Sequence, residues 1–373
     1  MAERAGAALV AISRPGSKLA LRLQASLPGS EAFVPERFVE TERDGVVTWS
    51  NSAGTLLRRL FSQYRSLVIF GSVGMAVRLI APLARGKQCD PAVVVVDDAG
   101  RFAVSLLSGH TGGANALAET VAGLLRARAV VTTGSETLGT LAVDLLGRQF
   151  GWEIEDAGQV TRVSAAVING DPVGVLQEAG EPNWWPAGRP LPANLFRWDS
   201  WEQLAGSGCR AALVISDRLF SIREGWTFPA VIYRPRSLVV GVGCNRGTGI
   251  DEIAGAVETT LRKHRLAGRS VRALATVDLK RDDVGLRGYA ERLGVPIRFY
   301  SPVELRSVDA PPNPSPVVQR WIGAPSVCEA AALLASRAAS LLVPKVKTKN
   351  VTVAVAREAF EAPGGGVDAR QAG

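Results

Sequence analysis

Short apolar runs rich in β-branched residues recur along this chain, separated by helix-length segments of mixed polarity. Residues 7–13 (AALVAIS), 66–71 (SLVIFG), 92–96 (AVVVV) and 129–133 (AVVTT) have the length and composition of buried strands. Residues 17–27, 53–64, 74–84 and 113–125 read as helices between them. Strands that alternate with helices leave few choices, and the favoured one is a mostly parallel sheet covered on both faces. FAVSLL at 102–107 is the exception. It follows AVVVV after the turn Asp98-Ala99-Gly100, a spacing that predicts an antiparallel hairpin.

The pattern weakens over residues 136–235, where strands are expected at 173–177, 211–216 and 229–233. The Pro-, Gly- and Trp-rich stretch 178–194 reads as a long excursion without regular structure. Trp184, Trp185, Trp198 and Trp201 are expected to pack that excursion onto the body, a stacking wall for a macrocycle being the alternative. Beyond Arg234-Pro235-Arg236 the alternation resumes, with strands at 237–243, 271–279, 296–300 and 351–356 and helices at 250–264, 284–293 and 326–339. The expected architecture is α/β: two three-layer α/β/α domains with mostly parallel sheets, 1–135 and 236–358, joined by a less regular middle region, 136–235, either separate or part of the first domain. Residues 359–373, with Gly364-Gly365-Gly366, read as a disordered tail.

Composition narrows the function. No run of about eighteen apolar residues is present, which argues against a membrane-spanning helix. Glu3 and a lone arginine precede the first apolar run, which reads as a core strand rather than a signal peptide. Cys89, Cys209, Cys244 and Cys328 are far apart, without a C-x-x-C pair, as suits a reducing cytoplasm and argues against structural zinc. The net charge of +8 favours acidic partners. Its arginines are spread along the chain with no nucleic-acid-binding motif, so a small polyanion fits better than nucleic acid or a membrane.

Three glycine-containing loops run from a strand towards a helix: 71–74, 108–115 and 241–248. Each offers backbone N–H groups and the positive end of a helix dipole to a carboxylate or phosphate, and none is a specific nucleotide signature. Of the two histidines, His264 belongs at the basic end of a helix, on the surface. His110 lies in the second glycine loop, where a neutral imidazole suits a general base, a metal ligand or a structural role. Asp97, Asp98 and Asp90 are turn formers by position, one of which is a candidate to orient His110. The loop 132–136 ends the next strand and is expected on the same side as His110. Thr248/Asp251 and Ser326/Glu329 have capping-box spacing. Lys280 is either a surface lysine or a carboxylate partner.

Gly74-Met75-Ala76-Val77-Arg78, Asp90-Pro91-Ala92-Val93-Val94-Val95-Val96-Asp97 and the long string Ser105-Leu106-Leu107-Ser108-Gly109-His110-Thr111-Gly112-Gly113-Ala114-Asn115 resemble the N-terminal core of the cobalt-precorrin-5A hydrolase (CbiG) family. Residues 241–248, Asp278-Leu279-Lys280, Pro314-Ser315, 326–333 and 350–354 resemble its C-terminal part, a domain that also occurs alone in the aerobic cobalamin pathway. The resemblance runs through nearly the whole chain and is weakest over 140–235. Where the family commonly carries T-T-A-T-D, this chain has Thr132-Thr133-Gly134-Ser135-Glu136.

The resemblance implies a hydrolase that opens the ring A δ-lactone of cobalt-precorrin-5A and releases acetaldehyde, giving cobalt-precorrin-5B. It implies no cofactor of the chain's own, because cobalt arrives within the substrate. Partners are then the anionic corrinoid and other enzymes of the cobalamin pathway. The expected catalytic set is His110 as base on water, Asp97 as its orienting partner, and Glu136. Backbone N–H groups around Gly112, Gly113 and Asn115 are expected to hold an oxyanion or carboxylate, with Ser108 and Thr133 beside them. Arg78, Gly243, Asn245, Arg246 and Lys280 are expected to bind other carboxylates. A corrinoid carrier that binds without converting, and a nucleotide-binding regulator, are the competing readings.

Overall fold

The computed structural model describes residues 5–39, 43–86, 89–110, 112–134, 138–220, 228–308, 313–314, 319–320 and 326–360. The chain forms two compact units, Met1–Leu145 and Leu146–Gly373. Residues 361–373, most of the expected tail, lie outside the described residues.

The first unit is built on seven strands: β1 (Ala5–Ala11), β2 (Ser30–Pro35), β3 (Val46–Trp49), β4 (Tyr64–Phe70), β5 (Ala92–Val96), β6 (Phe102–Leu107) and β7 (Arg128–Val130). Their order in the sheet is β3-β2-β1-β4-β5-β6-β7. The central strands are apolar on both faces; all five residues of β5 are buried. That double burial follows from helices on both sides. Helices α1 (Arg14–Gln24) and α4 (Ala114–Leu125) cover one face, packing Leu23, Ala118 and Val121 against Leu9, Val68 and Val94. Helices α2 (Ala53–Gln63) and α3 (Val73–Ile80) cover the other, with Leu57, Leu60 and Ile80 against Val10, Ile69 and Val95. Serine side chains at Ser13, Ser52 and Ser72 cap α1, α2 and α3 by accepting an N–H of the first turn, which starts each helix where it starts. The sequence pattern misses β2 and β3, and β7 stops at Val130, which frees 131–133 as loop.

Strand direction decides which loops meet. Strands β1 to β5 run parallel, whereas β6 pairs antiparallel with β5 (Val96 with Ala103, Val93 with Leu107) and β7 follows β6 in parallel. The loops after β6 and β7 therefore open at the edge where β5 begins. The loops after β1, β4 and β5 open at the opposite edge.

The second unit holds two five-stranded sheets. The first comprises β8 (Glu153–Ile154), β9 (Val173–Gln177), β10 (Leu195–Trp198), β11 (Ala211–Ile215) and β12 (Ala230–Arg234), in the order β10-β9-β11-β12-β8. All its pairings are parallel except the short β8 with β12. So the stretch in which sequence patterning finds only three strands carries a sheet of its own. Residues 178–194 contain no helix or strand. The tryptophans pack: Trp184 is buried and donates to Gln177, and Trp201 stacks on Phe220 with ring centroids 4.3 Å apart.

The second sheet comprises β13 (Leu238–Cys244), β14 (Val271–Val277), β15 (Ile297–Tyr300), β16 (Leu341–Lys347) and β17 (Val351–Arg357), ordered β15-β14-β13-β17-β16. Helices Ile250–Lys263 and Val284–Leu293 pack on one face, and Cys328–Ser336 on the other. The two sheets are tied by Asp217, which is fully buried. Its carboxylate accepts from Arg357 at 2.7 and 2.6 Å and from Ser237 Oγ at 2.8 Å. No described helix is long and apolar enough to cross a membrane.

Candidate functional site

The loop between β6 and α4 is folded back on itself. Ser108 has φ 58°, and its hydroxyl donates to the Asp90 carbonyl at 3.2 Å. Gly113, the residue preceding α4, has φ 88°, a region that favours glycine. A Cβ on Gly112 would lie 2.4 Å from Ser108 Cβ, so the turn closes only with glycine there. The N–H groups of Gly113, Ala114 and Asn115 donate to the carbonyls of His110, Ser108 and Gly109 at 3.0–3.1 Å. This corrects the expectation of an oxyanion cradle at Gly112–Asn115: three of its donors hold the loop itself.

What the folded loop does is present His110. The ring Nδ1 lies 3.2 Å from Asp144 Oδ1, with the histidine side chain 14% and the aspartate 23% exposed. Asp144 was not singled out by sequence reasoning. The signal available was a lone carboxylate inside the apolar run Leu141-Ala142-Val143-Asp144-Leu145-Leu146, a position that demands a polar partner. Three further side chains brace the same edge. Asn115 is buried; its Oδ1 accepts from Ser105 Oγ at 2.7 Å, and its Nδ2 donates to Thr133 Oγ1 at 2.6 Å. Thr133 is thus on the same side as His110, as the strand order requires. Glu136 lies outside the described residues.

Asp97 is not part of this cluster. Its Oδ1 accepts the N–H groups of Arg101 and Phe102 at 2.8 and 2.6 Å, which closes the β5–β6 hairpin. The hairpin turn and His110 stand at opposite ends of the six-residue β6, which spans roughly 20 Å. Asp97 as the orienting partner of His110 is therefore replaced by Asp144. Asp98 accepts from Ser13, and Asp90 accepts the N–H groups of Arg85 and Gly86 at 2.9–3.1 Å. Arg78 is exposed on α3, its guanidinium turned back to the Gly74 carbonyl at 3.3 Å.

In the second unit, the loop after β13 and the segment 279–285 line a cavity of about 1360 Å³. Asn245, Arg246 and Lys280 border it. Arg246 is exposed and forms no ion pair among the described residues. Lys280 Nζ sits 3.0 Å from Asp283 Oδ2, and Asp283 Oδ1 caps helix Val284–Leu293 through the Leu286 N–H. Burial pushes the Cys244 thiol pKa up, with Lys280 opposing and Asp283 reinforcing. Asn245 is braced by Asn350, its side chain donating at 3.0 Å. Gly243 answers a packing need instead: a Cβ there would lie 2.6 Å from Thr352 Oγ1.

Neither expected capping box forms. Thr248 Oγ1 donates to the Asn245 carbonyl, and Gly249 precedes the helix. Glu329 is fully buried and accepts from the Asn313 backbone and side chain and from the Lys345 N–H. Among the described residues, no group of three His, Cys, Asp or Glu side chains is placed to hold a metal ion.

Comparison with known proteins connects the whole chain to one biosynthesis. Residues 55–136 match the model "Cobalamin synthesis G N-terminal", 141–235 "Cobalamin biosynthesis central region" and 238–356 "Cobalamin synthesis G C-terminus". A cobalt-precorrin-5A hydrolase of Priestia megaterium is 41% identical over 357 residues, 95% of each chain. One of Salmonella typhimurium is 30% identical over 360 residues, 93% of this chain and 96% of that protein. Protein CobE of a Sinorhizobium species is 32% identical over 121 residues, 32% of this chain and 79% of its own. With three matched segments in order and a relative aligned nearly end to end, the chain belongs to the cobalamin synthesis G family, the family of the cobalt-precorrin-5A hydrolases.

Proposed function

We propose that this chain hydrolyses cobalt-precorrin-5A, opening its ring A δ-lactone and releasing acetaldehyde to leave cobalt-precorrin-5B, with His110 as the general base. The observation that carries the assignment of the base is the His110–Asp144 pair. With Nδ1–H donated to the Asp144 carboxylate, Nε2 is left with the lone pair, and the imidazolium that forms on taking a proton is stabilised by the same carboxylate. Water held at Nε2 gives up its proton as its oxygen bonds to the lactone carbonyl carbon. The proton returns to the ring oxygen as the ester C–O bond breaks, which frees a hydroxyl on the two-carbon unit. Loss of that hydroxyl's proton turns its C–O bond into the C=O of acetaldehyde as the C–C bond to the macrocycle breaks, and the electron pair of that bond stays with the macrocycle.

Arg246 and Lys280 at the second-unit cavity are cations suited to carboxylates, and the chain's net charge of +8 favours a polyanionic substrate. Cobalt belongs to the substrate in this reading, and the chain brings no cofactor of its own. The reaction takes place in the cytoplasm, where the corrinoid passes to and from other enzymes of the cobalamin pathway. The test is anaerobic incubation of the purified chain with cobalt-precorrin-5A, with acetaldehyde trapped and quantified against heat-inactivated protein. Release that depends on the intact chain supports the reading. Substrate binding without release identifies a carrier and sinks it.

A further inference from the structure

The two most exposed large apolar side chains among the described residues are Val284, at 80%, and Leu279, at 70%. Single exposed aliphatic residues are ordinary on a protein surface. These two line one cavity, the space of about 1360 Å³ in the second unit. Their placement follows from the fold. Strands β13 and β14 run parallel, so the loops after them open at one edge of the sheet, where open α/β sheets collect ligands. Leu279 lies in the turn after β14, and Val284 begins the helix Val284–Leu293. Asp283 beside them is committed, capping that helix and pairing with Lys280. On the facing side, the loop after β13 comes so close that a Cβ on Gly285 would lie 2.1 Å from the Thr248 carbonyl oxygen. Glycine at 285 lets the two walls touch and sets the aliphatic lip against the loop.

The charges lining the cavity are two of each sign, Arg246 and Lys280 against Asp282 and Asp283. Net charge alone therefore does not select a ligand here. Lys280 is paired to Asp283, whereas Arg246 forms no ion pair among the described residues and is left to an anionic group. The volume exceeds the roughly 300–1,000 Å³ of a typical small-molecule pocket. A large cavity with an aliphatic lip and an available guanidinium suits a broad ligand, apolar on its face and anionic at its rim.

We infer that Leu279 and Val284 bear the face of the corrinoid macrocycle while Arg246 meets a carboxylate at its rim. The identity of the ligand rests on the hydrolase reading; the aliphatic lip as what holds it goes beyond that reading. Covering both side chains with a ring system removes apolar surface from water, a gain that ion pairing at an exposed rim does not match.

The experiment is equilibrium dialysis of the full chain against dicyanocobyrinic acid, a cobalt corrinoid with peripheral carboxylates and no δ-lactone, so binding is read without turnover. Saturable binding is expected, weakened by about tenfold or more in Leu279→Ser/Val284→Ser and kept in the conservative Leu279→Met/Val284→Ile. Ile168→Ser, which removes an exposed aliphatic side chain of helix Val160–Asn169, should bind as wild type. Both lip residues are exposed, so the serine variant is expected to fold, and circular dichroism checks that it does. Failure of the wild type to bind overturns the inference, and so does binding by the serine variant at wild-type strength. Wild-type self-association that the serine variant loses, with no corrinoid bound by either, would overturn it in favour of a contact between copies of the chain. Acetaldehyde release from cobalt-precorrin-5A by the same preparation keeps the two readings apart. Release without dicyanocobyrinic acid binding leaves the hydrolase and removes the lip, and binding without release does the reverse.

Discussion

The His110 ring and the Asp144 carboxylate meet at 3.2 Å although they lie 34 positions apart in the chain. Reversal of β6 delivers the histidine to the edge where β5 begins, and the chain after β7 returns to that edge with the aspartate. Asp144→Asn keeps the shape of the contact but removes the charge that stabilises imidazolium and fixes the tautomer. Turnover is expected to fall by about 100-fold, in the range general-base catalysis contributes, with KM little changed. Steady-state acetaldehyde release at varied substrate concentration checks this; a kcat equal to wild type would show that the pair is structural only.

Asp97 gives the contrasting case. Replacing it with alanine leaves the N–H groups of Arg101 and Phe102 without their acceptor, at a cost of about 1–2 kcal/mol because the site is partly open to water. The urea midpoint should drop accordingly while kcat of the folded protein stays at the wild-type value.

Asn115 joins two hydroxyls under cover. In Asn115→Ala the Ser105 and Thr133 hydroxyls each lose this partner, and the expected destabilisation is about 2 kcal/mol. Because Thr133 sits on the loop beside His110, kcat should fall as well. Loss of stability with full turnover would confine Asn115 to packing.

Arg357 neutralises a carboxylate that has no exposure at all. Arg357→Ala strands Asp217 as an unpaired buried charge, which costs about 3–5 kcal/mol. Arg357→Ala/Asp217→Asn should recover part of that loss, since the uncompensated charge is gone. Chemical denaturation of the two variants distinguishes this from a simple packing defect.

The thiols rank by environment. Burial raises the pKa of Cys244 and of Cys328, so each holds its proton to a higher pH than a free thiol, whereas Cys89 is exposed. Iodoacetamide at about pH 7.5 should modify Cys89 first. Labelling of Cys244 should set in only as the pH is raised towards its elevated pKa. Mass spectrometry of the time course reads the order directly, and rapid labelling of Cys244 at neutral pH would contradict it.

Much of the fold is legible because a strand run such as 92–96 is apolar throughout and bounded by turn residues, and β5 occupies those residues. Strands β2 and β3 escape the pattern because SEAFVP and VVTW are short and broken by polar residues; pairing of β2 to β1 and of β3 to β2 supplies what local pattern lacks. The turn 98–100 marks the hairpin 92–107, but the reversal it imposes takes effect at the far end of β6, beyond the reach of local pattern. An antiparallel β6 moves its following loop to the opposite edge, which separates His110 from Asp97 and from the loop after β4. Asp144 stayed hidden because nothing local ties a carboxylate in an apolar run to a histidine so far upstream. The glycines at 109, 112 and 113 were visible as a motif. That the loop is closed by the N–H groups of Gly113, Ala114 and Asn115 is a property of three dimensions.

The most direct test of the account is the single-turnover rate of acetaldehyde release from cobalt-precorrin-5A by His110→Ala, with substrate binding measured on the same preparation. The account predicts a rate reduced by about 100-fold or more while binding persists. Release at the wild-type rate would remove His110 as the base and with it the mechanism built on its contact with Asp144.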